Sequence, residues 1–339
     1  MSPDPLIEVV GELLRVPADK RATITLEDCR AGGNNRVYVV SSEGRKAVVK
    51  QYFRHPSDLR DRLQAERAFL EYAARSAPEF VPRVIAFDAA HGIGVYEYVE
   101  GTKLFPGAVS RDQVRDAARF FLALNDSGDR AAADKLSAAS EACFTIAEHF
   151  AMVDRRVARL ASISSATDPD HAAREFVARL GARWNGVKAR LIDALTRQSA
   201  SASQEVEDRC ISPSDFGFHN TIVRRTGKLC FLDFEYAGWD DPAKMVGDFF
   251  SHPALPVPMA HFDEFVRETM AFSRHSKTLE ARARLLFPVF QVKWCCIILN
   301  DFVPEFAERR RFADPGLDEA AARRRQLEKA ERLYASIAS

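Results

Sequence analysis

The stretch Ser212–Gly238, SPSDFGFHNTIVRRTGKLCFLDFEYAG, carries the pattern from which the rest of the chain is read. Two apolar runs flank Thr226 and Gly227, and that arrangement predicts a β-hairpin. With those two residues as the loop, Arg225 faces Lys228, Thr221 faces Leu232 and Asn220 faces Asp233. Directly opposed residues of an antiparallel pair have Cβ atoms about 4.5–5.5 Å apart on one face. An amide oxygen and a carboxylate so placed can grip one hard cation. Mg2+ suits the pair, because it takes one or two protein ligands and fills its shell with phosphate oxygens and water. Asp215 precedes the first strand and stays free to accept a proton from a substrate hydroxyl. A hydroxyl-orienting carboxylate, a metal held by Asp and Asn, and a cation on the phosphates are the parts phosphoryl transfer needs.

The cation is sought upstream. RVYVV (36–40) and KAVVKQYF (46–53) read as strands joined by a turn-like SSEGR. Period-2 alternation puts Val48, Lys50 and Tyr52 on one face. The segment 55–77 then reads as a helix, with Ser57 or Asp58 as its cap. Its apolar stripe runs Leu59, Leu63, Leu70 and Ala73, and Glu66 fills the gap in that stripe. A carboxylate on a buried stripe is costly without a partner, and Lys50 is the candidate. Glu71 falls off the stripe and is expected in solvent. Gly32, Gly33 and Asn34 form a turn before the strand that can present backbone N–H groups to phosphate oxygens. In GVYEYVEG (94–101) the backbone near Glu97 and Val99 is placed to hydrogen-bond an adenine.

Composition bounds the rest. The 339 residues are 47% hydrophobic, so a sizeable core is expected. Lys plus Arg and Asp plus Glu are both 48, which disfavours a nucleic-acid binder. No run approaches the length of a membrane span, and the N-terminus lacks a signal pattern. The six cysteines are scattered without CxxC spacing and are expected to be reduced core thiols. The expected setting is cytoplasmic, with no nucleic-acid or membrane partner. Oligomeric state is not legible.

From Ser110 onward helices are expected at about 110–126, 138–162, 170–200, 260–275, 279–304 and 316–337, with a β patch at 221–235. The class is α+β with two lobes: 1–100, small and β-rich, for a nucleotide, and 101–339, mainly helical, for catalysis and substrate.

Taken together, AGGNNRVYVV, AVVKQYF, AERAFLEYAA, VYEYVEG, SDFGFHN and FLDFEYAGWDDPAKMVGDFF resemble the aminoglycoside phosphotransferase and choline kinase group, which has a protein-kinase-like fold. The resemblance implies ATP bound between two lobes. It makes Lys50 the phosphate contact, Glu66 its partner, Asp215 the catalytic base, and Asn220 and Asp233 the Mg2+ ligands. Glu235 becomes a further carboxylate beside the metals, and Asp248 a brace for the catalytic loop. Two positions depart from the pattern: Pro213 stands where the family has a His, and His219 where it has a Gly. Phe216 and Phe218 are expected to anchor the loop instead.

The expected activity is ATP-dependent O-phosphorylation of a small hydroxylated substrate. Glu235, Asp240 and Asp241 would make the cleft acidic, which suits an amino alcohol or amino sugar, and Trp239 could stack on the acceptor. A neutral sugar stays open, and Asp240-Asp241-Pro242 reads more readily as a turn. Pro213 keeps a nucleotide-binding pseudokinase scaffold as the alternative. A protein kinase would need an activation segment, for which the interval between Asp233 and Asp248 is too short.

Overall fold

The computed structural model describes residues 5–29, 35–54, 60–126, 128, 130–303 and 318–338. Gly32, Gly33 and Asn34, the expected cap at Ser57 or Asp58, and Leu59 lie outside the described residues.

Five strands form one antiparallel sheet: β1 (Thr25–Asp28), β2 (Arg36–Ser42), β3 (Arg45–Gln51), β4 (Val84–Asp88) and β5 (Ile93–Glu97), in the order β1-β2-β3-β5-β4. Glu43 and Gly44 turn β2 into β3 with φ of 49° and 75°, the left-handed pair of a type I′ two-residue hairpin loop. Alternation along β3 buries both of its faces. Ala47 and Val49 join Val40, Ile93 and Val95 beneath α1 (Pro5–Leu13), whose Val10 completes a small core. Val48, Lys50 and Tyr52 lie on the opposite face, where Lys50 meets Glu66 of α2 (Arg62–Ser76).

Helix α2 starts at Asp61, whose side chain accepts from Gln64 N, so the cap lies later than the sequence suggested. Leu63, Glu66, Leu70 and Ala73 are all buried, as the stripe requires, and Glu71 pairs with Arg67 at the surface. Phe69 and Leu70 also belong to the main core, which runs on through the helical part to Ile337.

The helices of that part are α3 (Arg111–Asn125), α4 (Arg130–Ala133), α5 (Ile146–Arg159), α6 (Asp168–Arg197), α7 (Pro242–Ser251), α8 (Phe262–Thr269), α9 (Ser276–Ile298) and α10 (Glu319–Ala335). Capping boxes at Ser110/Gln113 and Thr145/Glu148 open α3 and α5. The helix expected from 138 starts only at Ile146, because Ala139 N and Ser140 N donate to Trp239 O and Tyr236 O instead of to a helical turn. Helix α7 was not expected. All ten of its residues are buried, so it has no amphipathic period to read.

Two small sheets complete the fold: β6 (Gly101–Lys103) with β8 (Thr221–Arg224) and β9 (Leu229–Phe231), and β7 (Cys210–Ser212) with β10 (Gly238–Asp240). The segment from Ser276 to Phe302 is long and apolar enough to cross a membrane, at mean hydropathy 1.4, contrary to the sequence expectation. Here 67% of that window is buried, and α9 packs against α5, α6, α7 and α10. The six cysteines are free; five are buried and Cys29 is half-buried.

Candidate active site

The hairpin forms, in a different register. Thr221 pairs with Phe231, Ile222 with Cys230 and Val223 with Leu229. Arg224 N donates to Lys228 O at 2.8 Å, so the loop has three residues, with Gly227 at φ 80°. The favoured two-residue loops, types I′ and II′, both need left-handed backbone at the first position, which β-branched Thr226 resists. The extra residue moves the partner of Asn220 to Leu232, whose N–H donates to Asn220 O at 2.8 Å. Asp233 is thus not opposite Asn220 but one residue beyond. It turns out of the strand at φ 69°, a conformation that costs a non-glycine residue about 1–3 kcal/mol and gathers at functional sites.

Asp233 meets Lys50 there. The ammonium of Lys50 donates to Glu66 Oε2 at 2.7 Å, pairs with an Asp233 oxygen and lies 3.4 Å from Glu235. Burial opposes the charge on Lys50, but Asp233, Glu66 and Glu235 outweigh it and hold its pKa well above the usual value. Glu66 is positioned from three sides: Lys50, the Tyr52 hydroxyl at 2.5 Å, and Phe234 N at 3.2 Å. Burial, Glu235 and Glu66 push Asp233 up to about 7 against the pull of Lys50. The Asp233 side chain is 37% exposed, against 5% for Glu66 and 1% for Glu235, so it is the carboxylate a ligand can reach.

Asp215 follows β7. Asn125 clasps Ile211 of that strand, accepting from its N–H at 2.7 Å and donating to its carbonyl at 3.0 Å. Phe216 and Phe218 are 2% and 1% exposed and anchor the loop as expected. Phe216 packs on Phe120, Phe231 and Phe249, and Phe218 packs on Phe249. Asn220 Nδ2 donates to Asp215 O at 3.1 Å and faces its Oδ2 at 3.4 Å. His219 and His252 stack face to face at 3.6 Å, with their Nε2 atoms 3.4 and 3.6 Å from Asp215 Oδ1. Burial opposes the Asp215 charge, but His219, His252 and Asn220 hold its carboxyl well below the usual range. Asp248 accepts from Lys293 at 2.7 Å and Trp294 Nε1 at 2.8 Å, and the Trp294 ring meets His252 edge-on. A chain of contacts therefore leads from Asp248 through Trp294 and His252 to the loop that carries Asp215.

Glu97 and Val99 lie where β5 passes into β6. Gly101 begins β6 so close to β8 that a β-carbon there would come within 2.1 Å of Val223 O. The Glu97 carboxylate accepts from Arg83 N at 3.1 Å and Arg224 at 3.3 Å.

Two of the expected substrate contacts, Asp240 and Glu235, are corrected. Asp240 is fully buried and bound by Lys244 at 2.6 Å. Trp239 is half-buried in β10, with Nε1 donating to Ala133 O at 3.0 Å. Glu235 is 1% exposed and held by Arg62 at 2.8 Å and Asn35 at 2.5 Å. Asp241 caps α7 and is bound by Arg282 at 2.7 Å. The carboxylates of this acidic run are thus buried against the basic side chains Arg62, Lys244 and Arg282.

Sequence reasoning missed Asn35, Arg62, Asn125 and His252. Only Arg62 left a signal, since position 62 lies one turn before Glu66 on the same helix face.

The model of the phosphotransferase enzyme family matches residues 25–284. The chain belongs to that family. No curated protein sequence matches it. Among solved structures, a choline/ethanolamine kinase family protein from Mesorhizobium loti aligns with TM-score 0.58 at 17% identity, covering 97% of this chain and 94% of that one. Choline kinase LicA from Streptococcus pneumoniae aligns at 0.57 and 16%, covering 98% and 100%. The streptomycin–ATP ternary complex of APH(2″)-IIa aligns at 0.53 and 13%, covering 98% and 99%. At these identities the likeness concerns the fold, which is kinase-like: a β-sheet region followed by a helical one.

Proposed function

We propose that this phosphotransferase moves the γ-phosphoryl group of ATP to a hydroxyl of a small metabolite. The observation that carries the reading is one hairpin with Asp215 and Asn220 at its entrance and Asp233 at its exit, the last paired with the Lys50–Glu66 couple. The lobe of residues 1–100 would hold the nucleotide, with Glu97 and Val99 offering backbone groups to the adenine. The lobe of residues 101–339 would hold the acceptor.

Asp215, held ionised, accepts a hydrogen bond from the acceptor hydroxyl and orients its oxygen toward phosphorus. As the new O–P bond forms and the bond to the ADP oxygen breaks, Asp215 takes the hydroxyl proton. Lys50 supplies positive charge to the phosphates, and Glu66 keeps its ammonium on station. Asn220 and Asp233 fit Mg2+: both offer hard oxygen donors, and Asp233 is the carboxylate of its group that a ligand can reach. Bound Mg2+ would neutralise charge on the phosphate oxygens.

Glu235, Asp240 and Asp241 are each bound by a basic side chain and add no attraction for a cationic acceptor. The acceptor panel therefore spans amino alcohols, amino sugars and neutral sugars. A cytoplasmic setting belongs to the same reading, supported by the six free cysteines.

Wild-type protein with ATP and Mg2+ should phosphorylate at least one acceptor on that panel. Asp215→Ala should slow transfer by about 10²–10⁴-fold. Equal, acceptor-independent ATP consumption by both proteins would overturn the enzyme reading in favour of a nucleotide-binding scaffold.

A further inference from the structure

Glu235 lies two residues beyond Asp233, and both of its carboxylate oxygens are engaged. Oε1 accepts from Arg62 Nη1 at 2.8 Å, and Oε2 accepts from Asn35 Nδ2 at 2.5 Å. Arg62 also donates to the Tyr236 hydroxyl at 2.6 Å. Two residues earlier, Arg60 spreads its guanidinium over three carbonyls: Glu235 O at 2.8 Å, Ala237 O at 2.8 Å and Ala138 O at 3.0 Å. Further along α2, Glu66 accepts from Phe234 N, and Phe69 stacks on Phe234 at 4.6 Å. The first turns of α2 and the residues just before it thus grip one short segment, 234–237.

We infer that Arg62 and Glu235 form a built-in clamp that holds α2 against the segment following Asp233, and that Glu235 is a positioning residue and not a metal ligand. The middle of the Glu66, Asp233 and Glu235 group already contains the Lys50 ammonium. A metal ion on Glu235 would have to enter a site with 1% exposure and share a carboxylate that Arg62, Asn35 and Lys50 already surround. Removing one member of such a pair strands a buried charge, which makes the pair a rigid tie. The clamp keeps Glu66 beside Lys50 and Phe234 without an activating event. The catalytic consequence rests on the phosphotransferase reading; the tie itself does not.

The test uses the full chain with Arg62→Met, Glu235→Gln and the double variant. Hydrogen exchange reads the tie directly. Each single variant should raise exchange about tenfold or more in both 61–70 and 233–238, and the double should be no worse than the worse single, because the two residues act as one unit. In turnover, kcat should fall about tenfold in both singles, while the Mg2+ concentration for half-maximal rate stays within about twofold of wild type. Arg62→Lys keeps the charge but loses the planar fork and should be intermediate in exchange, which gives a reading if the Met variant does not fold. A Mg2+ requirement raised about tenfold by Glu235→Gln but not by Arg62→Met would make Glu235 a metal ligand and overturn the proposal. Unchanged exchange in α2 would overturn it as well. If wild type neither bound nucleotide nor turned over, the phosphotransferase reading would fall and the exchange result would still decide the clamp.

Discussion

Pro213 stands where the family resemblance implies a His, and the loop that carries Asp215 is held by other means. Phe216 wedges between rings of α3, β9 and α7, while His252 reaches in from the end of α7 to stack on His219. Packing of this kind is unforgiving, because the interior is dense and a deleted ring leaves a cavity. Phe216→Ala should therefore destabilise the protein by about 3–5 kcal/mol. It should also reduce turnover beyond what the unfolded fraction explains, since Asp215 is its direct neighbour. Denaturant unfolding measures the first and rates at matched folded fraction the second. A cost under about 1 kcal/mol would mean that the ring does not anchor the loop.

At the scale of elements, α7 shows how a fully buried helix is secured. Asp241 caps it through Ala243 N at 2.8 Å and is bound by Arg282, with His149 Nε2 3.1 Å away. Burial opposes the Asp241 charge, but His149 and Arg282 outweigh it, so its folded pKa lies below the ordinary 3.8. As pH falls through that range the unfolded chain takes up the proton first. The contribution of Asp241 is thus complete above the ordinary pKa and is lost as pH drops toward the folded one. Asp241→Asn should cost about 3–5 kcal/mol at pH 7 by stranding Arg282. The gap to wild type should shrink below the ordinary carboxylate pKa. Urea unfolding at neutral pH and near pH 3 checks this; an equal gap at both would refute the linkage.

At the scale of the molecule, the nucleotide reading predicts a ligand-dependent stability. ATP with Mg2+ at about 100 times its Kd should stabilise the folded state by about 2.7 kcal/mol, provided only the folded state binds. The melting temperature should rise with ATP concentration, and Lys50→Met should abolish most of the rise. A concentration-independent melting temperature would count against a nucleotide site.

The sequence by itself determined the fold class and much of the candidate site. The Lys50–Glu66 pair was legible because each member sits in a local pattern, strand alternation for one and a helix stripe with one charged gap for the other; Asn220 and Asp233 were read from a hairpin whose register the structure changes. Buried Glu66 demanded a cation, and the Lys50 strand was the nearest source. Tertiary structure alone decided the rest. The hairpin register moved by one residue, because a single loop residue outweighs the preference of its flanking strands. The acidic character of Glu235, Asp240 and Asp241 vanished, because their partners Arg62, Lys244 and Arg282 arrive from neighbouring turns and distant helices. Asn35 meets Glu235 across 200 positions of chain. Periodicity reports which face of an element is buried, but not which side chain from another element will lie against it. That choice is made by packing the whole chain at once, and it turned an expected substrate contact into the tie between α2 and the segment after Asp233.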